Sequence, residues 1–320
     1  MTGPAAPVVR PVARAHPIAR PGARPGARSR FTPPWRDRAG RFVPIKAVVL
    51  ALLFAPALVL GWWAVTHQLG GRPVMEAIHE TGLWAIRFLA ITLAITPARS
   101  VLDWPRLPLV RRMVGLAAMS YALTHLSLYI VDENFRLGFV ASEILRRFYL
   151  TIGFTTLLGL VALGVTSTDA ALRRMGANWK RLHRLSYLLV ALATLHYFLQ
   201  TKANVSEAVM LAGFLVWLLA WRILPAAWQR RRWVLLPLGM LATLATAGIE
   251  FAWYATMTHI DPWRVLAVDE TLRYGLRPVH WVAIVSAGVL AAALLRHPGA
   301  RFLRMGGARM RGVVADRSGG

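Results

Sequence analysis

Long apolar blocks, separated by short polar and often basic stretches, run through this chain from about residue 45 to residue 296. Eight of them approach the roughly 20 mostly apolar residues that a helix needs to cross a bilayer. They fall at roughly 46–66, 82–97, 113–131, 148–166, 184–200, 207–224, 233–255 and 279–296. The second is short, and the fifth carries a histidine near each end. A spanning chain must satisfy its backbone internally, and β-barrel strands would be shorter and would alternate. The pattern therefore predicts an all-α, polytopic membrane helix bundle.

The connections read as short loops at 67–81, 98–112, 132–147, 167–183, 201–206 and 225–232, with a longer one at 256–278. None is large enough to be a soluble catalytic domain, and no internal repeat stands out. No GxGxxG lies in a strand–turn–helix context, so NAD(P)H or a large substrate falls to another protein. Residues 1–44 are rich in Pro, Arg, Ala and Gly, as in ARPGARPGARSR, and are expected to form a disordered basic arm near anionic headgroups. The first apolar block runs on into GWWAV without a small-residue cleavage site, so it reads as an uncleaved span. The Gly/Arg-rich tail at 297–320 is also expected to be disordered.

Composition agrees with the pattern: 56% of the residues are hydrophobic, against the roughly 45–50% of a soluble domain. The net charge of +24 raises the question of nucleic acid. Its distribution answers it. With the N-terminus inside, 29 of the 38 Lys and Arg residues fall in inner segments and eight in outer ones. This positive-inside bias predicts a multi-pass membrane protein with both termini cytoplasmic, and no nucleic-acid partner. The absence of cysteine excludes disulfides, iron–sulfur clusters and thiolate-ligated metals in this chain. Metal chemistry must use His, carboxylates or Met.

Nine histidines are therefore the candidates. His16 and His297 lie in the tails and His67 at a span end, where solvation explains them. His259 and His280 sit at span ends, and His79 lies in the outer loop before the second span. His125, in YALTHLSLY, is inside the third span. An ionisable residue there is costly and is a functional candidate by default, although a hydrogen bond to a neighbouring helix would also satisfy it. The pairing with His196 shifts the balance. His125 lies about 18 Å, and His196 about 20 Å, from the inner ends of their helices at 1.5 Å per residue. Two imidazoles at one depth can ligate one heme from both faces, which suits electron transfer rather than oxygen activation.

His183, in WKRLHRL at the inner boundary, reads either as a surface residue among basic neighbours or as part of a second redox site holding heme, flavin or quinone. Thirteen residues separate it from His196, leaving the two about 140° apart around a helix. The residue thirteen before His125 is Arg112, so a second bis-histidine heme lacks an obvious partner. Arg87, within the second span, either snorkels to the interface or pairs with a heme propionate.

The stretches RRMVGLAAMSYALTHLSLY (111–129), TGLWAIRFLAITLAITP (81–97), ILRRFYLTIGFTTLLGLVALGVTST (144–168) and GANWKRLHRLSYLLVALATLHYFLQTK (176–202) together resemble one family. It is MsrQ, the heme-binding membrane subunits of the bacterial protein-methionine-sulfoxide reductase system, within the wider ferric-reductase-like transmembrane group. The resemblance is ordered and spans about 45–225. It implies a six-helix ferric-reductase-like core there, with 226–296 as two additional spans for which no role follows beyond lateral packing or partner docking.

It further implies heme b and FMN as cofactors, with His125, His196 and His183 as the heme-linked histidines. Arg87 and Arg112 complete the candidate cofactor-binding set. The implied donor is the quinone pool or a cytoplasmic flavin reductase. The implied partner is a periplasmic molybdopterin enzyme, MsrP, which repairs methionine sulfoxide in envelope proteins. This chain has Phe148 where many family members have proline. The relay reading predicts no methionine-sulfoxide chemistry by this chain alone. Its rivals are another ferric-reductase-like or b561-like cytochrome, or a non-redox transporter or scaffold, for which paired, interrupted helices would be the signature.

Overall fold

The computed structural model describes residues 33–36, 39–201, 204–269, 271–273 and 275–295. Most of the predicted arm and the whole of the predicted tail lie outside these residues. Just before the first helix, an isolated antiparallel bridge joins Arg36 to Phe42, and Lys46 Nζ donates to the Arg36 carbonyl at 3.0 Å.

The helices are α1 (Pro44–Val65), α2 (Pro73–Val101), α3 (Arg111–Asp132), α4 (Leu137–Arg146), α5 (Phe148–Val165), α6 (Asp169–Met175), α7 (Ala177–His183), α8 (Leu185–Gln200), α9 (Ser206–Ile223), α10 (Ala226–Gln229), α11 (Leu235–Met257), α12 (Pro262–Asp269) and α13 (Pro278–Leu295). No strand occurs among the described residues. Eight helical segments are long and apolar enough to cross a membrane, with α7 leading into α8 and a 3-10 turn at Arg232–Val234 leading into α11. They coincide with the eight apolar blocks. The chain is an all-α membrane bundle.

Three details depart from the apolar pattern. The second span is not short: α2 is 29 residues long, because it starts at Pro73, before the polar IHETG stretch, and continues past Pro97. Proline in the first turn costs no hydrogen bond and presets φ for a helix, so α2 starts well before its apolar block. His79 therefore lies on a helix and not in a loop. The presumed loops 132–147 and 167–183 carry helices of their own, α4, α6 and α7.

The core centres on α2, whose Phe88, Leu89 and Leu93 are buried with Val114 and Ala118 of α3, Leu160 of α5 and Leu189 and Val190 of α8. Buried Thr81, Thr92, Thr156, Thr194 and Thr246 each donate to a carbonyl four residues back in their own helix. That is how hydroxyls are satisfied without water. Pro56 inside α1 removes one ladder donor. One residue further on, the Tyr121 hydroxyl of α3 enters the ladder, accepting from Ala57 N at 3.0 Å and donating to Leu53 O at 2.9 Å.

The last two spans share this core. Gly213 of α9 sits beneath Thr246 of α11 and Val282 of α13, and Gly239 of α11 sits beneath Ser286 of α13. Ala242 and Val282 are wholly buried between them. Small residues that let helix backbones approach are the usual means of association in lipid. At the far end of these helices, Arg277 binds two carboxylates: Nη2 to Glu250 Oε1 at 2.5 Å and Nε to Asp269 Oδ1 at 2.9 Å. The acidic side chains are 1% and 5% exposed.

Candidate functional site

Two helix pairs carry the site, and they carry it in the same register. In the first, α3 lies along α2 and brings His125 against Gly82. The His125 Nδ1 is 2.8 Å from the carbonyl oxygen of Ile78, one turn before that glycine. In the second, α8 lies along α5 and brings His196 against Gly153. The His196 Nδ1 is 2.8 Å from the carbonyl of Tyr149, again one turn before the glycine. Each histidine lies 47 residues beyond its carbonyl partner. Gly82 and Gly153 are likewise each 43 residues before their histidine, so the two half-sites repeat at an interval of 71 residues. The bundle thus contains a structural repeat that the amino-acid pattern does not display.

The glycines are needed for space. A Cβ on Gly82 would lie 2.8 Å from His125 Nδ1, and one on Gly153 would lie 2.7 Å from His196 Cε1. Either separation is closer than atoms tolerate, so any side chain at these two positions pushes the ring away. A carbonyl only accepts hydrogen bonds, so each Nδ1 carries the proton and donates. The lone pair then resides on Nε2. A hydrogen bond that fixes the tautomer in this way is the usual support for a metal-ligating histidine.

The two half-buried rings face one another across the bundle with centroids 6.4 Å apart and planes at 83°. Two metal–nitrogen bonds of about 2 Å, with rings built from bonds of about 1.3 Å, span about 6.3 Å between centroids. The separation is therefore that of two imidazoles with room for one metal ion between them. Among the described residues, no group of three or more His, Asp or Glu gathers to hold a bare ion. The remaining equatorial ligands would have to come with the metal, as the four nitrogens of a porphyrin do.

The other candidates lie apart. His183 is at the opposite end of the α7–α8 segment, thirteen residues and about 20 Å from His196. Its ring stacks on Trp179 at 3.8 Å, with Nδ1 3.1 Å from the Trp179 carbonyl and Nε2 3.3 Å from Ser167 Oγ. It faces no second histidine. Arg112, at the matching level of α3, is bound to Asp169 at 2.9 Å. Arg87 has a partner within the protein. Its guanidinium is held by Glu207 of α9, with Nε at 2.9 Å and Nη2 on the same oxygen, and it lies over the Trp84 ring. Glu207 had no signal in the local sequence, since 120 residues separate the two. Gly82, Gly153 and the two carbonyls were likewise missed. The matched 43-residue spacings could have disclosed the glycines.

Known proteins resemble this chain over the same helices. Residues 81–194 match the family model described as ferric reductase like transmembrane component, a segment that includes Gly82, His125 and Gly153. The chain is 43% identical over 195 residues to the protein-methionine-sulfoxide reductase heme-binding subunit MsrQ of Xanthomonas campestris pv. campestris strain 8004, covering 59% of this chain and 88% of that protein. The MsrQ of Xanthomonas oryzae pv. oryzae strain MAFF 311018 is 43% identical over 194 residues, covering 58% and 86%. That of Rhodospirillum rubrum is 41% identical over 198 residues, covering 61% and 93%. No solved structure matches.

Proposed function

The chain belongs to the MsrQ family of heme-binding subunits, and from that premise we propose that it is a heme b electron-transfer subunit serving a methionine-sulfoxide reductase. The observation that carries this reading is the pair of facing imidazoles, each with its Nδ1 on a carbonyl and its Nε2 free, at a separation that suits one iron. His125 and His196 would hold the heme iron through Nε2. Heme, when bound, would supply a one-electron carrier. The protein's part is to hold both imidazoles in one tautomer. Ile78 and Tyr149 do the orienting through their backbone oxygens, and Gly82 and Gly153 supply the clearance.

The chain sits in the inner membrane with both termini cytoplasmic, a reading supported by the 29 to eight distribution of basic residues. Electrons enter from the basic side, from the quinone pool or a cytoplasmic flavin reductase, and FMN belongs to that entry route. They leave to a periplasmic MsrP-type molybdopterin enzyme, which reduces methionine sulfoxide in envelope proteins. The last three elements rest on the resemblance to MsrQ. His183 and Arg112, on the basic side, mark the entry region.

The test is a dithionite-reduced minus air-oxidised absorbance spectrum of purified protein. The wild type shows a b-type signal. His125→Ala and His196→Ala each abolish it, while His183→Ala retains it. A well-folded wild type without a heme signal, purified with heme available, overturns the proposal. A signal that survives loss of His125 or His196 overturns the ligand assignment.

A further inference from the structure

A cavity of about 410 Å³ opens at one end of the bundle, where the C-terminal ends of α2, α9 and α13 meet the start of α11. Its wall includes Ser100, Trp221 and three consecutive arginines, Arg230, Arg231 and Arg232. The connection that supplies them reads LPAAWQRRRWV and contains no acidic residue. None of the three arginine side chains makes an ion pair or hydrogen bond with another described residue. The connection is nevertheless well held. Gln229 Nε2 donates to the carbonyls of Trp221 and Leu224, both at 3.0 Å, and so caps the end of α9.

Three like charges on adjacent residues repel one another, and their chain segment is tied down by Gln229 so that they cannot disperse. An anion relieves that repulsion. Guanidinium groups recognise phosphate oxygens with particular geometric fit. The surroundings say what carries the phosphate. Four spanning helices end or begin at this level, so the cavity lies where headgroups lie. Trp228 and Trp233 pair beside it at 5.8 Å, both exposed, as interfacial tryptophans do. Below its rim, Leu236 and Met240 of α11 and Leu294 of α13 are exposed apolar side chains against which acyl chains can lie. The volume falls within the range of ligand sites.

We propose that this cavity is a binding site for the phosphate headgroup of an anionic phospholipid, held by Arg230, Arg231 and Arg232. The headgroup fills the opening where the ends of α2 and α9 meet the two final spans, α11 and α13. It thereby gives those spans a use that the heme pair does not require.

The experiment is a thermal-shift titration of the detergent-purified full chain with short-chain phosphatidylglycerol, phosphatidylcholine and inorganic phosphate in parallel. Phosphatidylglycerol is expected to stabilise the wild type well below the concentrations at which the other two act. Each arginine at a membrane surface is worth about fivefold in affinity for anionic lipid, so an Arg230→Gln/Arg231→Gln/Arg232→Gln variant loses about a hundredfold. Ala226→Trp, which fills the cavity and keeps every charge, loses the effect too, and covers the case in which the triple variant fails to fold. Equal responses to the two lipids overturn the proposal. Equal responses to phosphatidylglycerol and inorganic phosphate assign the site to free phosphate and overturn the lipid. An undiminished response in either variant places lipid binding elsewhere and overturns the site.

Discussion

A glycine under each imidazole is what allows a carbonyl one turn earlier to accept the hydrogen bond from the ring N–H. A methyl group at Gly82 or Gly153 would occupy the space of the ring itself. Gly82→Ala and Gly153→Ala are therefore expected to lower heme affinity by about 10- to 100-fold, the usual cost of losing the hydrogen bond behind a ligating histidine. Heme titration of the purified variants measures it. Gly115→Ala is the control, because a Cβ there meets nothing closer than 3.8 Å. It should bind heme as the wild type does. At this scale the sequence was partly legible. The depth of His125 and His196 follows from counting residues along two helices, but every residue has a carbonyl, so nothing in the letters marks Ile78 or Tyr149 as the ones that matter. A glycine in an apolar helix reads only as a small residue until its neighbour across the bundle is known.

The eight spanning helices were legible, since lipid demands about 20 apolar residues in a row, whereas the short helices α4, α6, α7, α10 and α12 read as loops. Helix ends were not legible, because α2 begins in the polar sequence PVMEAIHETG, where no apolar run announces it. The partner of Arg87 was also hidden, as an ion pair between α2 and α9 leaves no local pattern. That pair ties the first half of the core to the helix on which the final spans pack. Arg87→Gln and Glu207→Gln should each cost about 2 kcal/mol, the range for a hydrogen-bonded charge. The double variant should cost little more than either single one, as expected for a coupled pair. Thermal unfolding reads the stability, and the b-type spectrum read alongside should persist in all three. Loss of heme in Arg87→Gln alone would return Arg87 to a propionate role.

Over the whole molecule, one continuous apolar core joins α2 to α13, so the two final spans are integral to the bundle. Their own tie is the buried arrangement of Arg277 between Glu250 and Asp269. Removing the cation leaves two carboxylates facing each other out of water. Arg277→Leu should destabilise the chain by about 3–5 kcal/mol, and replacing all three with leucine should restore most of that. Denaturant or thermal unfolding in a fixed detergent separates the two outcomes. The repeated half-site has a further consequence for how such a chain is made. All of the first imidazole's supports lie between residues 78 and 125, and those of the second between 149 and 196. A ribosome delivers one complete half before it begins the other. The earlier half can fold as a hairpin that already points its ligand, and the cofactor then acts as the clasp that closes a molecule assembled in two instalments.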